Sequence, residues 1–530
     1  MLAREMTGSP QSRPARSLGA ISGWRAYGLA AVLGAIAGLA FAPLNFVPAF
    51  ALGISGLVWL AAEAPTRRTG FALGWWWGLG HFAVNSYWIA ESFLVDAERF
   101  GWMIPPVLGG LAAYLALYPA LATLAFRLLP QRLSVAGIAA FAAFWTIAEW
   151  LRGHVLTGYP WDLAAYIWSG SDAMMQSAAL WGAWGLSLVT VFALALPALF
   201  VLMDRRAARA AAIGMALVLG ALYLGGFWRL SNAIPTAADS DPAALRIRLV
   251  QPNIAQTMKL DRDTRPDQIR TLMRLSLETP GFDKVKAVIW PETAANYLLE
   301  RDAGLRRILS QAVPPEGILL TGVPRGEPLD GPLTEIWNSF AVLDGGGQIL
   351  GTADKFHLVP LGEYVPLRGI FPFINKLTPG SMNFTPGPGP RTLHTSALPP
   401  FSPLICYEVI FPGAVVDPQD RPALLVNVTN DGWFGTSTGP SQHFATARFR
   451  SVEEGIPMLR AANTGISGVI DAYGRVETRS NLVVEAVIDA TVPPALEPTP
   501  FARFGLFTVL PLIVLALIPI LFRVRKPSIS

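Results

Sequence analysis

Long apolar stretches separated by short polar loops fill the first 230 residues. Runs near 25–42, 45–62, 70–93, 103–126, 134–151, 174–203 and 208–228, with one more at 505–522, are each long enough to cross ~30 Å of hydrocarbon as a helix. The pattern predicts eight transmembrane helices, seven before a long polar insert and one after it. From Leu245 short β-branched runs replace the long apolar ones. Strands are expected at 244–251, 286–290, 317–323, 338–344, 348–354, 402–409, 423–429 and 465–472. Apolar positions at three-to-four spacing predict helices over 263–279, 300–312 and 440–454, and the glycines of "DGGGQ" (344–348) predict a hairpin turn. Such alternation predicts a layered α/β domain. The chain divides into an N-terminal segment (1–24), a seven-helix region (25–230), an α/β domain (245–495), a last helix (505–522) and a short tail (523–530).

Composition strengthens this picture: 52% of residues are hydrophobic and only 15% charged, which marks a membrane-integral protein. The net charge of +4 would fit an anionic partner, but its placement does not favour nucleic acid. Arg4, Arg13, Arg16 and Arg25 precede the first span, and alternate loops carry Arg67 and Arg68, Arg127 and Arg132, then Arg205, Arg206 and Arg209. With Arg523, Arg525 and Lys526 in the tail, this bias puts both termini in the cytoplasm and the α/β insert on the other side. An A-x-A pattern at 40–42 could be read as a signal-peptide cleavage site, but Pro43 follows it directly. Cys406 is the only cysteine, so no intrachain disulfide forms, and no cysteine pair or Cys/His cluster offers a structural metal site.

Three residues end predicted strands or follow them closely, where layered α/β domains tend to place their chemistry. Glu292 follows "VIWP", Lys355 leaves a hairpin strand, and Cys406 lies in "SPLICYEV". Taken singly, each has a plain structural reading: a turn acid, a snorkelling lysine, an inert buried thiol. Together they make a physically sensible centre, in which Glu292 takes the thiol proton and Lys355 stabilises the thiolate and an oxyanion. His81, His154, His357, His394 and His443 are alternative bases. His357, two residues after Lys355, is the nearest of them in sequence.

The ordered segments "WPE" (290–292), "DKFHLVPLGEYVP" (354–366), "ICYEVIFP" (405–412), "NDGWFG" (430–435) and "GPSQHFATARFRSVE" (439–453) resemble the nitrilase superfamily and its Glu-Lys-Cys triad. With seven helices before this domain and one after, the chain resembles the apolipoprotein N-acyltransferase family. That resemblance implies a nitrilase-like α/β/β/α sandwich outside the cytoplasm, in a bacterial inner membrane. It assigns the nucleophile to Cys406, the base to Glu292 and the lysine to Lys355. Glu363 would orient or charge-balance Lys355, and Tyr407 and Glu408 would support the nucleophile. Because neighbouring strand side chains alternate, Glu408 is expected to share the Cys406 face and Tyr407 to point away.

The implied reaction takes an acyl chain from the sn-1 ester of a phospholipid, typically phosphatidylethanolamine, through a thioester. The chain then passes to the α-amine of an S-diacylglyceryl-cysteine on an apolipoprotein. No cofactor or metal is called for, and a monomer is expected. The apolar loop 364–387, with Phe371, Phe373 and Phe384, and the neighbouring Trp433 and Phe434 are candidates for a water-excluding, lipid-facing mouth. Arg368 and Lys376 are candidates for lipid phosphate. Trp161 in "RGHVLTGYPWD" is expected either to line the route from helices to active site or to serve as an interfacial belt aromatic. His81, Asn85 and Glu149, polar residues in apolar spans, read as helix-packing contacts. Leu260 stands where the family often has Trp. Two other readings fit less of the sequence: a membrane-anchored amidase with the same triad, and a transporter carrying an α/β binding module.

Overall fold

In a computed structural model of the chain, residues 21–523 are described, apart from 131, 201–204, 239–240, 242, 367–375, 379 and 381. Phe371, Phe373 and Arg368 therefore lie outside the described residues, as do nearly all of the N-terminal segment and tail.

The apolar runs become helices, with breaks the hydropathy pattern did not reveal. Trp24–Gly38, Val47–Glu63 and Arg67–Asn85 pack together, with a chain of short helices from Ile89 to Arg127 beside them. Val135–His154, Ala178–Ala195 and Arg205–Ser231 follow, and Leu510–Arg523 comes after the insert. Among the described residues, five helical stretches are long and apolar enough to cross a membrane: Ala97–Arg127, Val135–His154, Ala178–Leu199, Ala208–Ser231 and Pro500–Pro519. Close packing depends on small residues, as in membrane helices generally. A Cβ on Gly34 would sit 1.9 Å from the Trp77 carbonyl oxygen, and one on Gly80 2.0 Å from that of Ala31.

The insert folds into two facing sheets. The first contains β1 (Arg246–Gln251), β2 (Ala287–Ile289), β3 (Ile318–Glu327), β4 (Glu335–Leu343), β5 (Ile349–Asp354) and, last in the chain, β11 (Ala486–Thr491), in the order β11-β1-β2-β3-β4-β5. The second contains β6 (Phe401–Ile405), β7 (Leu424–Thr429), β8 (Met458–Ala462), β9 (Gly468–Ile470) and β10 (Val476–Arg479), in the order β10-β9-β8-β7-β6. β1, β2 and β3 are parallel neighbours, as are β6, β7 and β8, and the remaining pairings are antiparallel. Side-chain alternation then sorts the core. Ile247 and Leu249 of β1 meet Leu424, Val426 and Val428 of β7 between the sheets. On the outer faces, Val250 and Val288 pack under helix Arg265–Leu277, and Leu425 and Met458 under helix Gly439–Glu454. The result is the α/β/β/α sandwich expected from the sequence.

Helix Gly439–Glu454 also joins the sandwich to the helical region. Its Phe449 and Val452 enter the core of the apolar helices, and Gln442 accepts a 2.8 Å bond from the Trp161 indole. Helix Ala178–Ala195 is kinked at Trp181 and Gly182, the latter at φ +64°. The kink turns the Ala183 N–H out of the helix, and Glu453 Oε1 accepts it at 2.7 Å. Helix irregularity of this kind survives in an apolar region only where a partner satisfies the freed group.

Candidate active site

The strand read over 402–409 stops early. β6 ends at Ile405, and Cys406–Ile410 form a 3₁₀ turn in which Cys406 has φ +52°. An apolar run signals a buried strand but carries no mark of a left-handed residue, so alternation was the wrong rule here. The consequence reverses the expected facing. Tyr407 lines the cavity beside Cys406, its hydroxyl 3.3 Å from the Gly158 carbonyl oxygen. Glu408 instead points into backbone: its Oε2 accepts from Ile405 N (2.7 Å), and its Oε1 from Phe356 N (2.6 Å) and His357 N (3.4 Å). It thus ties the turn holding Cys406 to the segment leaving Lys355. Burial raises its pKa to about 8, against the pull of those N–H groups and of Lys355.

Glu292, Lys355 and Cys406 converge from β2, β5 and β6, all buried and all on one cavity. Lys355 Nζ donates to Glu363 Oε1 at 3.0 Å and lies 3.5 Å from Glu292 Oε1. Asn338 Nδ2 bridges the same two carboxylates, at 2.7 Å from Glu292 and 2.9 Å from Glu363. Asn430 N donates to Glu292 Oε2 at 2.9 Å, and Val359 N to Glu363 Oε2 at 2.8 Å. Lys259 Nζ, also buried, donates to the Glu292 carbonyl at 2.7 Å. Two carboxylates and two ammonium groups roughly cancel, which is what makes so many buried charges tolerable together.

Electrostatics distribute the protons. Burial disfavours the Lys355 charge, but Glu363, Glu292 and Cys406 outweigh it and hold the ammonium well above its usual range. Burial pulls Lys259 down to about 8, although Glu292 and Cys406 oppose this. For Cys406, burial and then Glu292 push the thiol far up, with Lys355 and a Thr429 hydrogen bond acting the other way. Burial and Glu292 both favour the protonated Cys406 thiol, so as a nucleophile it would need a base at the moment of attack.

Behind Cys406 lies a network the sequence did not reveal. His443 Nε2 is 3.2 Å from the Cys406 carbonyl oxygen, and its Nδ1 is 2.9 Å from Asp431 Oδ1 and 3.1 Å from Arg460. Burial and then Arg460 lower the His443 pKa, while Asp431 and the Cys406 carbonyl act the other way. Burial would raise Asp431, but Arg460 and His443 bring it down to about 2. His357, the histidine nearest in sequence, is instead stacked on Phe411 at 3.5 Å, its Nε2 2.8 Å from the Thr157 carbonyl. Asn338 and Arg460 lie in none of the segments quoted above, and although Asp431 falls in "NDGWFG" and His443 in "GPSQHFATARFRSVE", only the fold brings these residues to the site.

The cavity, about 630 Å³, runs from Cys406 to Phe93, Val107, Leu111 and Tyr114 of the apolar helices. Trp433, Phe434 and Phe384 line it, and Leu260 is on its wall. Trp161 sits one layer back, 4.6 Å from the lining Trp88 and 5.6 Å from His443. Lys376 folds onto Thr378, with its Nζ bonded to the Thr378 carbonyl and hydroxyl.

Residues 33–196 match the family model described as the apolipoprotein N-acyltransferase N-terminal domain, and residues 246–500 match that for carbon-nitrogen hydrolase. An apolipoprotein N-acyltransferase of Rhodopseudomonas palustris is 37% identical over 96% of both chains, and one of Bradyrhizobium diazoefficiens 38% identical over 95% of both. Another, from Allorhizobium ampelinum, is 40% identical over 89% of this chain and 90% of its own. Among solved structures, an amidase from Nesterenkonia sp. AN1 aligns at 17% identity with a TM-score of 0.36, covering 51% of this chain and 96% of that one. Matched across both halves and nearly its whole length, the chain belongs to the apolipoprotein N-acyltransferase family.

Proposed function

We propose that the protein N-acylates lipoproteins, taking an acyl chain from the sn-1 position of a phospholipid and passing it to the α-amine of an S-diacylglyceryl-cysteine. The observation that carries this reading is the cavity, which joins the Glu292–Lys355–Cys406 cluster to a wall of apolar helices. A small-amide hydrolase has no use for such a wall. In the first half-reaction Glu292 accepts the Cys406 proton, and sulfur attacks the ester carbonyl. Lys355 faces the developing oxyanion, and the expelled glyceryl oxygen recovers the proton from Glu292. In the second, Glu292 accepts a proton from the attacking α-amine, the amide bond forms, and the thiolate leaves and is reprotonated. The aromatic lining keeps water from the thioester between the two steps.

The reading places the chain in a bacterial inner membrane with eight spans, seven in 25–230 and one at 505–522. The catalytic domain, 245–495, then faces the periplasm, and the flanks 1–24 and 523–530 face the cytoplasm. The full chain, in nanodiscs containing phosphatidylethanolamine, is to be given a synthetic S-diacylglyceryl-cysteinyl peptide. Appearance of the N-acylated peptide and a lysophospholipid is expected. Hydrolysis of a small amide with no acylated peptide would favour the amidase instead.

A further inference from the structure

Of the sequence candidates for lipid phosphate, Lys376 is folded onto Thr378 and does not line the cavity, and Arg368 lies outside the described residues. A different basic strip lines the cavity. Lys259, Arg262 and Arg265, three residues apart, run from the helix Gln256–Leu260 into the start of helix Arg265–Leu277. Lys259 marks the inner end, at the Glu292 carbonyl. Arg262 is exposed, and Arg265 lies half-buried with its guanidinium over the Tyr297 ring. Among the described residues no ion pair involves either arginine, and the buried Nε of Arg265 lacks a hydrogen-bond partner. Asp261 and Asp263 do not line the cavity, and Asp267 is paired with Arg270 at 2.7 Å. The carboxylates that do line it, Glu292 and Glu363, already hold Lys355. The rim therefore presents uncompensated positive charge, on planar donors suited to two oxygens of one phosphate.

Resting on the acyl-transfer reading above, we propose that Arg262 and Arg265 bind the headgroup phosphate of the donor phospholipid. The phosphate is anchored at this rim while the sn-1 ester reaches Cys406 and the acyl chain lies along the helices. These arginines select for a phosphodiester-bearing donor over a neutral ester.

The test uses the full chain in detergent micelles and follows acylation of Cys406 by mass spectrometry with phosphatidylethanolamine and, separately, with p-nitrophenyl palmitate, an ester lacking phosphate. Wild-type protein is expected to be acylated by both; failure with both would sink the acyl-transfer reading itself. In R262A/R265A the preference for phosphatidylethanolamine over the neutral ester is expected to fall roughly tenfold or more, as loss of charge-assisted bonds requires. The fall should come through a higher half-saturating phospholipid concentration, and R262K/R265K should recover part of it. An unchanged preference in R262A/R265A would overturn the proposal. So would competition by inorganic phosphate as strong as that by glycerophosphoethanolamine at matched ionic strength, since the site would then serve a free anion.

Discussion

Cys406 is buried beside a carboxylate, and both conditions oppose its ionisation. Its alkylation by iodoacetamide should therefore climb about tenfold per pH unit between pH 7 and 9, because the thiolate remains the minor species throughout. A plateau below pH 8 would mean a thiolate already formed at rest. In the proposed reaction, Glu292 is the acceptor of the Cys406 proton in the first step. Glu292→Gln is expected to slow acylation by roughly 10²- to 10⁴-fold, read as the rate of adduct formation on Cys406. His443 contacts the Cys406 carbonyl, so its proposed role is to position the nucleophile rather than to touch substrate. His443→Ala should lower that rate about tenfold and cost about 1–3 kcal/mol for the buried groups it leaves unpaired, seen as a lower Tm. Equal rates in the variant and wild type would remove His443 from any positioning role. The sequence displayed the Glu, Lys and Cys because each sits in a recognisable segment. His443 also lies in a quoted segment, but its bond to a backbone oxygen 37 positions away could not be read from it.

At the scale of elements, Glu408 holds the turn. Three N–H groups, of Ile405, Phe356 and His357, converge on its two oxygens. Glu408→Ala strands them in a buried place and should cost several times the ~1 kcal/mol of an ordinary hydrogen bond. Glu408→Gln keeps one acceptor oxygen and should lose less; a Tm for Glu408→Ala equal to that of wild type would contradict this bracing. The kink at Gly182 gives a second test. A Cβ there would lie 2.4 Å from the Phe501 ring, and φ +64° adds backbone strain, so Gly182→Ala should destabilise by about 1–3 kcal/mol. Periodicity located most of the strands, since their apolar runs are short and bounded by turns. It missed β8, β10 and β11, whose residues include Arg460, Glu477, Arg479 and Asp489, charges that blur an apolar run. It also read a strand through Cys406, because hydrophobicity reports burial and not φ.

Across the whole molecule, the helical region and the sandwich share one cavity, and the Glu292–Lys355–Cys406 cluster sits where they meet. Helix Gly439–Glu454 makes this possible. It belongs to the sandwich, contributes His443 beneath the nucleophile, and puts Phe449, Val452 and Glu453 into the helical region. The paired architecture was legible early, because long apolar runs and short β-branched runs obey different periods. The shape of the shared cavity was not, since it depends on where Trp88, Tyr407 and Arg152 come together from distant segments. The central claim is that Cys406 carries the acyl chain between two substrates. Full-length protein is to be incubated with phosphatidylethanolamine in the absence of any acceptor and analysed by intact-protein and peptide mass spectrometry. One acyl group on the Cys406 peptide, discharged by an S-diacylglyceryl-cysteinyl peptide and absent from Cys406→Ala, is the expected result. Acylated peptide product formed at an undiminished rate by Cys406→Ala would contradict it.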